Sequence, residues 1–327
     1  MEIIVNFLKL LLIVLVVGIV SLIITINVTP RLTVALLRHS FDKEAIKPKE
    51  YKTYAQQVDI TKNIKYSSKY KNSKLDIYSR KENKNKPTII WVHGGAFVAG
   101  DKADVQYWAM KMAYDGYNVV SINYSLAPDN YYPAQIKQTG DAIRYIVANY
   151  SSKLNVKRIV IGGDSAGAHI ASQVIAAQYN SELARKINYQ PINKTKIVGG
   201  LLYCGAYDVK PLANLKDKNF MTKLFVNQLG WAYLGKKKWQ KAKMIEYAST
   251  VDYVNAKFPP IFITDGNSGS FETQGIALYK KLQEKQVTVK KLFFDKTQKV
   301  GHEYQFDLDT KPAKKCFKET LSFLNDL

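Results

Sequence analysis

The chain has 327 residues, 46% of them hydrophobic, with two cysteines and a formal net charge of +21. That length and apolar share suit one large folded domain and exclude a disordered chain, and two cysteines exclude a disulfide scaffold. The positive charge is scattered, with no zinc-ligand spacing, no Gly-rich phosphate loop and no nucleic-acid module, so a solvated lysine-rich surface is expected, with no metal and no nucleic-acid partner.

Residues 10–26 are an uncharged apolar run of seventeen, extended to twenty by Phe7, Leu8 and the flanking Lys9. At about 1.5 Å per residue this nearly spans the hydrocarbon core of a bilayer. A cleaved signal sequence calls for an A-x-A-like site, and Asn27-Val28-Thr29-Pro30-Arg31 is a poor one. Residues 1–30 are therefore read as a single-pass transmembrane anchor in the cell membrane. Residues 31–55 are read as a basic juxtamembrane segment carrying Arg31, Arg38, Lys43, Lys47 and Lys49. A positive-inside count puts the catalytic domain in the cytoplasm. Anchors of this kind also act as export signals, and the outer face is the reading adopted.

Residues 56–327 form the folded domain. Apolar β-branched runs at 87–92, 117–123, 158–162, 197–204, 260–264 and 287–294 alternate with helical stretches. That alternation predicts an α/β fold, a mostly parallel central sheet with helices on both faces. Residues 56–80 add antiparallel edge strands. Residues 209–257 are an insertion rich in Lys and aromatics (Trp231, Tyr233, Trp239), suited either to a lid or to peripheral packing helices.

The run at 87–92 leads into His93-Gly94-Gly95-Ala96. Acyl transfer builds negative charge on a carbonyl oxygen, and glycine amides approach such a charge closely. The run at 158–162 leads into Gly163-Asp164-Ser165-Ala166-Gly167, and a helical stretch comes next. A strand that turns sharply into a helix strains the residue at its apex and projects that side chain over the sheet edge. Ser165 is the candidate nucleophile. The amides of Gly94, Gly95 and Ala166 are the candidate oxyanion donors, and His93, Gly163, Asp164 and Gly167 flank them.

The general base is found by elimination among four histidines. His39 lies in the basic segment, His93 in the Gly-Gly loop, and His169 one helical turn past Ser165. His302, in Gly301-His302-Glu303-Tyr304 after the final strand-like run, remains, and the Ser-then-His order fits.

With these residues in place, the chain resembles an α/β-hydrolase of the hormone-sensitive-lipase-like carboxylesterase group, from about residue 74 to the C-terminus. The marks are His93-Gly94-Gly95-Ala96, Gly100-Asp101-Lys102, Asn123-Tyr124-Ser125-Leu126-Ala127-Pro128, Tyr132-Pro133-Ala134, the Ser165 pentapeptide and Gly301-His302. The resemblance implies serine-dependent hydrolysis of acyl esters, with no metal or organic cofactor. The alternatives are an acyltransferase or O-deacetylase on envelope glycans or lipids, and a non-catalytic membrane-tethered binding module.

The acid departs from the pattern. Similar enzymes carry Asp two or three residues after the Gly that ends the penultimate strand, which here falls on Ser268 or Gly269. Asp265, Glu272 and Asp208 are the candidate substitutes, each close enough in the chain to a sheet edge to reach a histidine there.

Overall fold

The computed structural model describes residues 1–41, 44–80, 85–215 and 219–327; Lys43 lies outside them. The strands are β1 (Asp59–Lys65), β2 (Lys74–Ser79), β3 (Thr88–Val92), β4 (Val119–Ile122), β5 (Arg158–Asp164), β6 (Lys196–Tyr203), β7 (Ile261–Thr264) and β8 (Val289–Leu292). The helices are α1 (Glu2–Val28), α2 (Arg31–Phe41), α3 (Tyr51–Ala55), α4 (Gln106–Tyr114), α5 (Ala134–Asn149) and α6 (Ala166–Tyr179), then α7 (Ser181–Lys186), α8 (Lys210–Ala213), α9 (Phe220–Leu234), α10 (Met244–Ala248), α11 (Glu272–Glu284) and α12 (Lys311–Asn325).

All eight strands join one sheet in the order β1-β2-β4-β3-β5-β6-β7-β8. β1 and β2 pair antiparallel at the edge, as the 56–80 segment predicts, and the strands from β4 across to β8 run parallel. Alternate residues serve opposite faces. On β3, Ile90 and Val92 enter a core with α5, α6 and α11, while Ile89 and Trp91 enter another with α4 and α12. A two-residue period buried on both sides explains why the central strands read as unbroken apolar runs.

Register places the chemistry. Val92 pairs with Gly163, Asp164 with Tyr203, and Tyr203 with Thr264. The chain therefore leaves β3, β5, β6 and β7 at the same level, so the segments starting at His93, Ser165, Cys204 and Asp265 converge on one sheet edge. Ligand sites of parallel sheets gather at this carboxyl edge.

Two elements depart from a simple tether attached to a domain. α1 is long and apolar enough to cross a membrane, and none of it is buried. The basic segment after it packs onto the domain. Val34 of α2 is buried against Val98, Ala99, Ala127 and Ala232. The Arg38 guanidinium donates to the carbonyls of Val98 (2.7 Å) and Ala127 (3.1 Å).

The loop after β3 is fixed from below by a buried ion pair. Lys102 Nζ lies 3.3 Å from Asp76 Oδ1, with both side chains almost fully enclosed. The Lys102 amide also donates to Asn123 Oδ1 at 2.6 Å. Lys102→Met should strand the Asp76 carboxylate in the core and cost about 3–5 kcal/mol, while Asp76→Asn with Lys102→Met should recover much of the loss. Urea unfolding midpoints of both variants check this.

Candidate active site

Ser165 is the turn between β5 and α6, with φ 51° and ψ −118°. A non-glycine residue rarely adopts that backbone, and it persists only where packing enforces it. Here the packing is close contact between backbones. A side chain on Gly163 would strike the Gly167 carbonyl, and one on Gly167 would strike the carbonyls of Val92 and His93. The Ser165 amide donates to Tyr203 O at 2.8 Å, which ties the turn to β6.

The loop after β8 delivers His302. Its Nε2 lies 3.0 Å from Ser165 Oγ. Its Nδ1 lies 2.7 Å from Ser270 Oγ, and the Ser270 hydroxyl in turn donates to Asp265 Oδ1. The three candidate acids therefore separate. Asp265 reaches the imidazole through a serine hydroxyl. Asp208 instead accepts from the Lys210 amide at the start of α8. Glu272 stands in the first turn of α11. Among the described residues, neither Asp208 nor Glu272 is hydrogen-bonded to His302. Sequence reasoning missed Ser270, because a loop serine carries no signal of its own; only the unfilled acid position pointed to this loop.

A bare Nε2 facing Ser165 requires the ring proton on Nδ1. That proton is donated to Ser270 Oγ, and the Ser270 proton to Asp265. The direction of this chain depends on Asp265 being ionised. Burial raises the Asp265 carboxyl; the hydroxyl of Ser270 and the amides of Gly266 and Phe271 draw it down, and the balance is about 7. Its Oδ2 has no hydrogen-bond partner among the described residues. His302 moves the other way, and burial pushes its imidazole down to about 4.

A pair of carboxyls, Asp164 and Glu303, lies on the Nε2 side of the ring. Asp164 accepts from Trp91 Nε1 at 2.8 Å. Burial and then the Glu303 charge raise it well above the carboxylate range, and burial raises Glu303 as well. Glu303 Oε1 is 3.7 Å from His302 Nε2. A methyl placed on Gly94 would meet the carboxyl oxygens of both.

The amides of Gly94 and Gly95 have no protein acceptor among the described residues. Ala166 is the first residue of α6, where a helix leaves its N–H unpaired. His93 is buried, stacked on Tyr124 with Nδ1 2.8 Å from Gly94 O. His169 is buried, with Nδ1 2.7 Å from Ala206 O. Both rings are tied to backbone carbonyls.

Cys204, Asp265 and His302 present donor atoms within 4.8 Å of one another. Burial holds the Cys204 thiol protonated, and its sulfur accepts from Gln305 Nε2.

Ser165, His302 and Gly94 open into a cavity of about 700 Å³. Its walls are mostly apolar: Phe97 stacks on Tyr233 with centroids 3.7 Å apart, and Leu229, Val226 and Trp239 continue the lining. The 209–257 insertion thus forms a wall of the pocket, and α2 with residues 44–46 closes another side.

Fold and motifs together define an α/β-hydrolase of the hormone-sensitive-lipase-like carboxylesterase group. A family model described as BD-FAE matches residues 75–282, and the chain belongs to that family. Esterase LipQ of Mycobacterium tuberculosis is 29% identical over 226 residues, covering 67% of this chain and 50% of that one. Kynurenine formamidase of Drosophila melanogaster is 26% identical over 180 residues, covering 55% of this chain and 57% of that one. The chain thus spans about half the length of the curated relatives it matches. Among solved structures, esterase B from Lactobacillus rhamnosis superposes with TM-score 0.73 at 20% identity, over 90% of this chain and 91% of that one, which is a likeness of fold.

The enclosed imidazole yields a direct test. His302 should stay neutral at pH 5.5, where an ordinary histidine is mostly charged, and should protonate only toward about 4. Nitrogen-15 NMR of histidine-labelled protein, assigned through His302→Gln, checks this. A midpoint above 6 would overturn it.

Proposed function

We propose that this chain is a membrane-anchored serine hydrolase of carboxylic esters. The observation that carries the reading is Ser165 at a strained strand-to-helix turn, with its Oγ 3.0 Å from His302 Nε2. In this reading Ser165 Oγ attacks the acyl carbon while His302 takes its proton. The proton then passes to the leaving alcohol, and water clears the acyl-enzyme by the same route. The amides of Gly94, Gly95 and Ala166 hold the developing oxyanion. Asp265, acting through Ser270, fixes the tautomer of the ring and stabilises its cation. The apolar cavity receives the acyl chain. α1 crosses the cell membrane, and the export role of such helices places the domain on the outer face. Protection of the domain from protease added to intact cells would reverse that side.

Hydrolysis of p-nitrophenyl acetate, butyrate and octanoate by the full chain in detergent tests the reading. Ser165→Ala and His302→Ala should each lower kcat by about two to four orders of magnitude, and Ser165→Ala should abolish fluorophosphonate labelling. Unchanged turnover in Ser165→Ala would sink the assignment.

The pH profile separates base from acid. kcat/KM should fall as pH drops through about 7, where Asp265 takes up a proton and the tautomer is released. A lower plateau should then hold until His302 protonates near 4. Asp265→Ala should remove the limb near 7 and lower the high-pH rate on the order of 10²-fold. A limb near 7 that survives in Asp265→Ala would assign it to another group.

A further inference from the structure

We infer that the mouth of the catalytic cavity opens onto the bilayer that α1 crosses, so that the enzyme takes amphipathic esters directly from that leaflet. The inference rests on the ester-hydrolase and membrane-span readings above and names where the substrate comes from.

The first observation is how α1 is joined to the domain. Two residues, Thr29 and Pro30, separate α1 from α2, and α2 is bolted down by the Arg38 hydrogen bonds and by Arg31 3.0 Å from Asp129. The last turn of α1 also touches the insertion. Gln228 Nε2 donates to Ile26 O at 3.2 Å, and Lys237 Nζ donates to Asn27 O. Gln228 precedes Leu229 and Gly230, which line the cavity. The end of the apolar helix therefore sits against the cavity wall, and these contacts hold the mouth beside it.

The second observation is what rims the mouth. Phe41, Ile46 and Phe225 line the cavity and are also exposed to the outside. Phe220 and Met221, at the start of α9, are 73% and 66% exposed, and Leu36 on α2 is 67% exposed. Phe225, one turn along α9 from Met221, joins these side chains to the mouth, and exposed large apolar side chains of this kind mark a contact surface. Lys223 is the only charged residue within α9, and Lys236, Lys237 and Lys238 come just after its Gly235 cap. An apolar helix followed by a basic cluster fits the boundary of a bilayer, where cations meet anionic headgroups. Continuity with α1, no residue of which is buried, selects the bilayer as the occupant over a second copy of the chain.

The test uses the full chain in nanodiscs containing anionic lipid. Cys204 and Cys316 are buried, so Met221→Cys takes a bimane label, and Ser151→Cys, exposed in the loop leading to the amino end of β5, serves as control. Doxyl lipids should quench the label at 221 and leave 151 bright. The double variant Phe220→Ser/Met221→Ser should retain turnover of p-nitrophenyl acetate and lose at least tenfold on a long-chain ester resident in the same discs. An unquenched label at 221 overturns the inference, and so does equal turnover of the bilayer ester by variant and wild type. A chain without Ser165-dependent turnover of either ester sinks the hydrolase reading separately, and quenching then decides the docking alone.

Discussion

The site depends on one constraint: a residue with a side chain held in the left-handed region at the end of β5. Such a backbone costs on the order of 1–3 kcal/mol and relaxes unless the surroundings hold it. Gly163 and Gly167 hold it by letting α6 press against the carbonyl ends of β3. The same closeness sets Ser165 beside the His93-Gly94-Gly95 loop, because β3 and β5 are neighbours with Val92 level with Gly163. Loosening that contact would move the nucleophile, the proposed oxyanion amides and the helix terminus together.

On the proposed reading, geometry replaces a missing acid. Asp265 leaves the sheet directly after β7 and has no hydrogen bond to the ring among the described residues; the Ser270 hydroxyl bridges the two. A hydroxyl both accepts and donates, so it transmits direction along with contact. Ionised Asp265 draws the Ser270 proton to itself, which leaves Ser270 Oγ to accept from His302 Nδ1. Protonated Asp265 can reverse the chain and place the ring proton on Nε2, where it would block proton transfer from Ser165. A directly bonded carboxylate would raise the imidazole strongly. Routing through a serine leaves burial dominant, consistent with the depressed histidine.

Much of this was legible in the sequence. The apolar runs at 87–92, 158–162 and 260–264 became β3, β5 and β7 because strands buried on both faces need no polar alternation. That Ser165 and His302 would meet was legible, because a strand-to-helix turn marks the serine and elimination among four histidines leaves His302. The hydrogen-bond partner of the ring was not, since reach depends on where a loop folds back, and Ser270 looks like any loop serine. The packing of α2 was hidden for another reason. A helix with Arg31, Arg38 and His39 reads as a solvated tether, yet Arg38 spends its donors on backbone carbonyls of the domain. Nothing in the sequence singles out Glu303 beside the histidine, and only the fold turns it toward Asp164.

That last placement is chemically demanding. Glu303 lies 3.7 Å from His302 Nε2 and against Gly94, beside the place proposed for the oxyanion. Two unit charges about 4 Å apart repel by about 4 kcal/mol at an effective dielectric of 20, close to three powers of ten in rate. An ionised Glu303 would therefore oppose the charge that the amides are placed to stabilise. Its contact with Asp164 limits the conflict: two buried carboxyls side by side cannot both ionise cheaply, so Asp164 keeps its proton and the pair carries one charge in place of two. The two carboxyl systems around His302 thus have opposite requirements: Asp265 must lose its proton to fix the ring, and Asp164 must keep its proton so that one charge and not two stands beside the position proposed for the oxyanion.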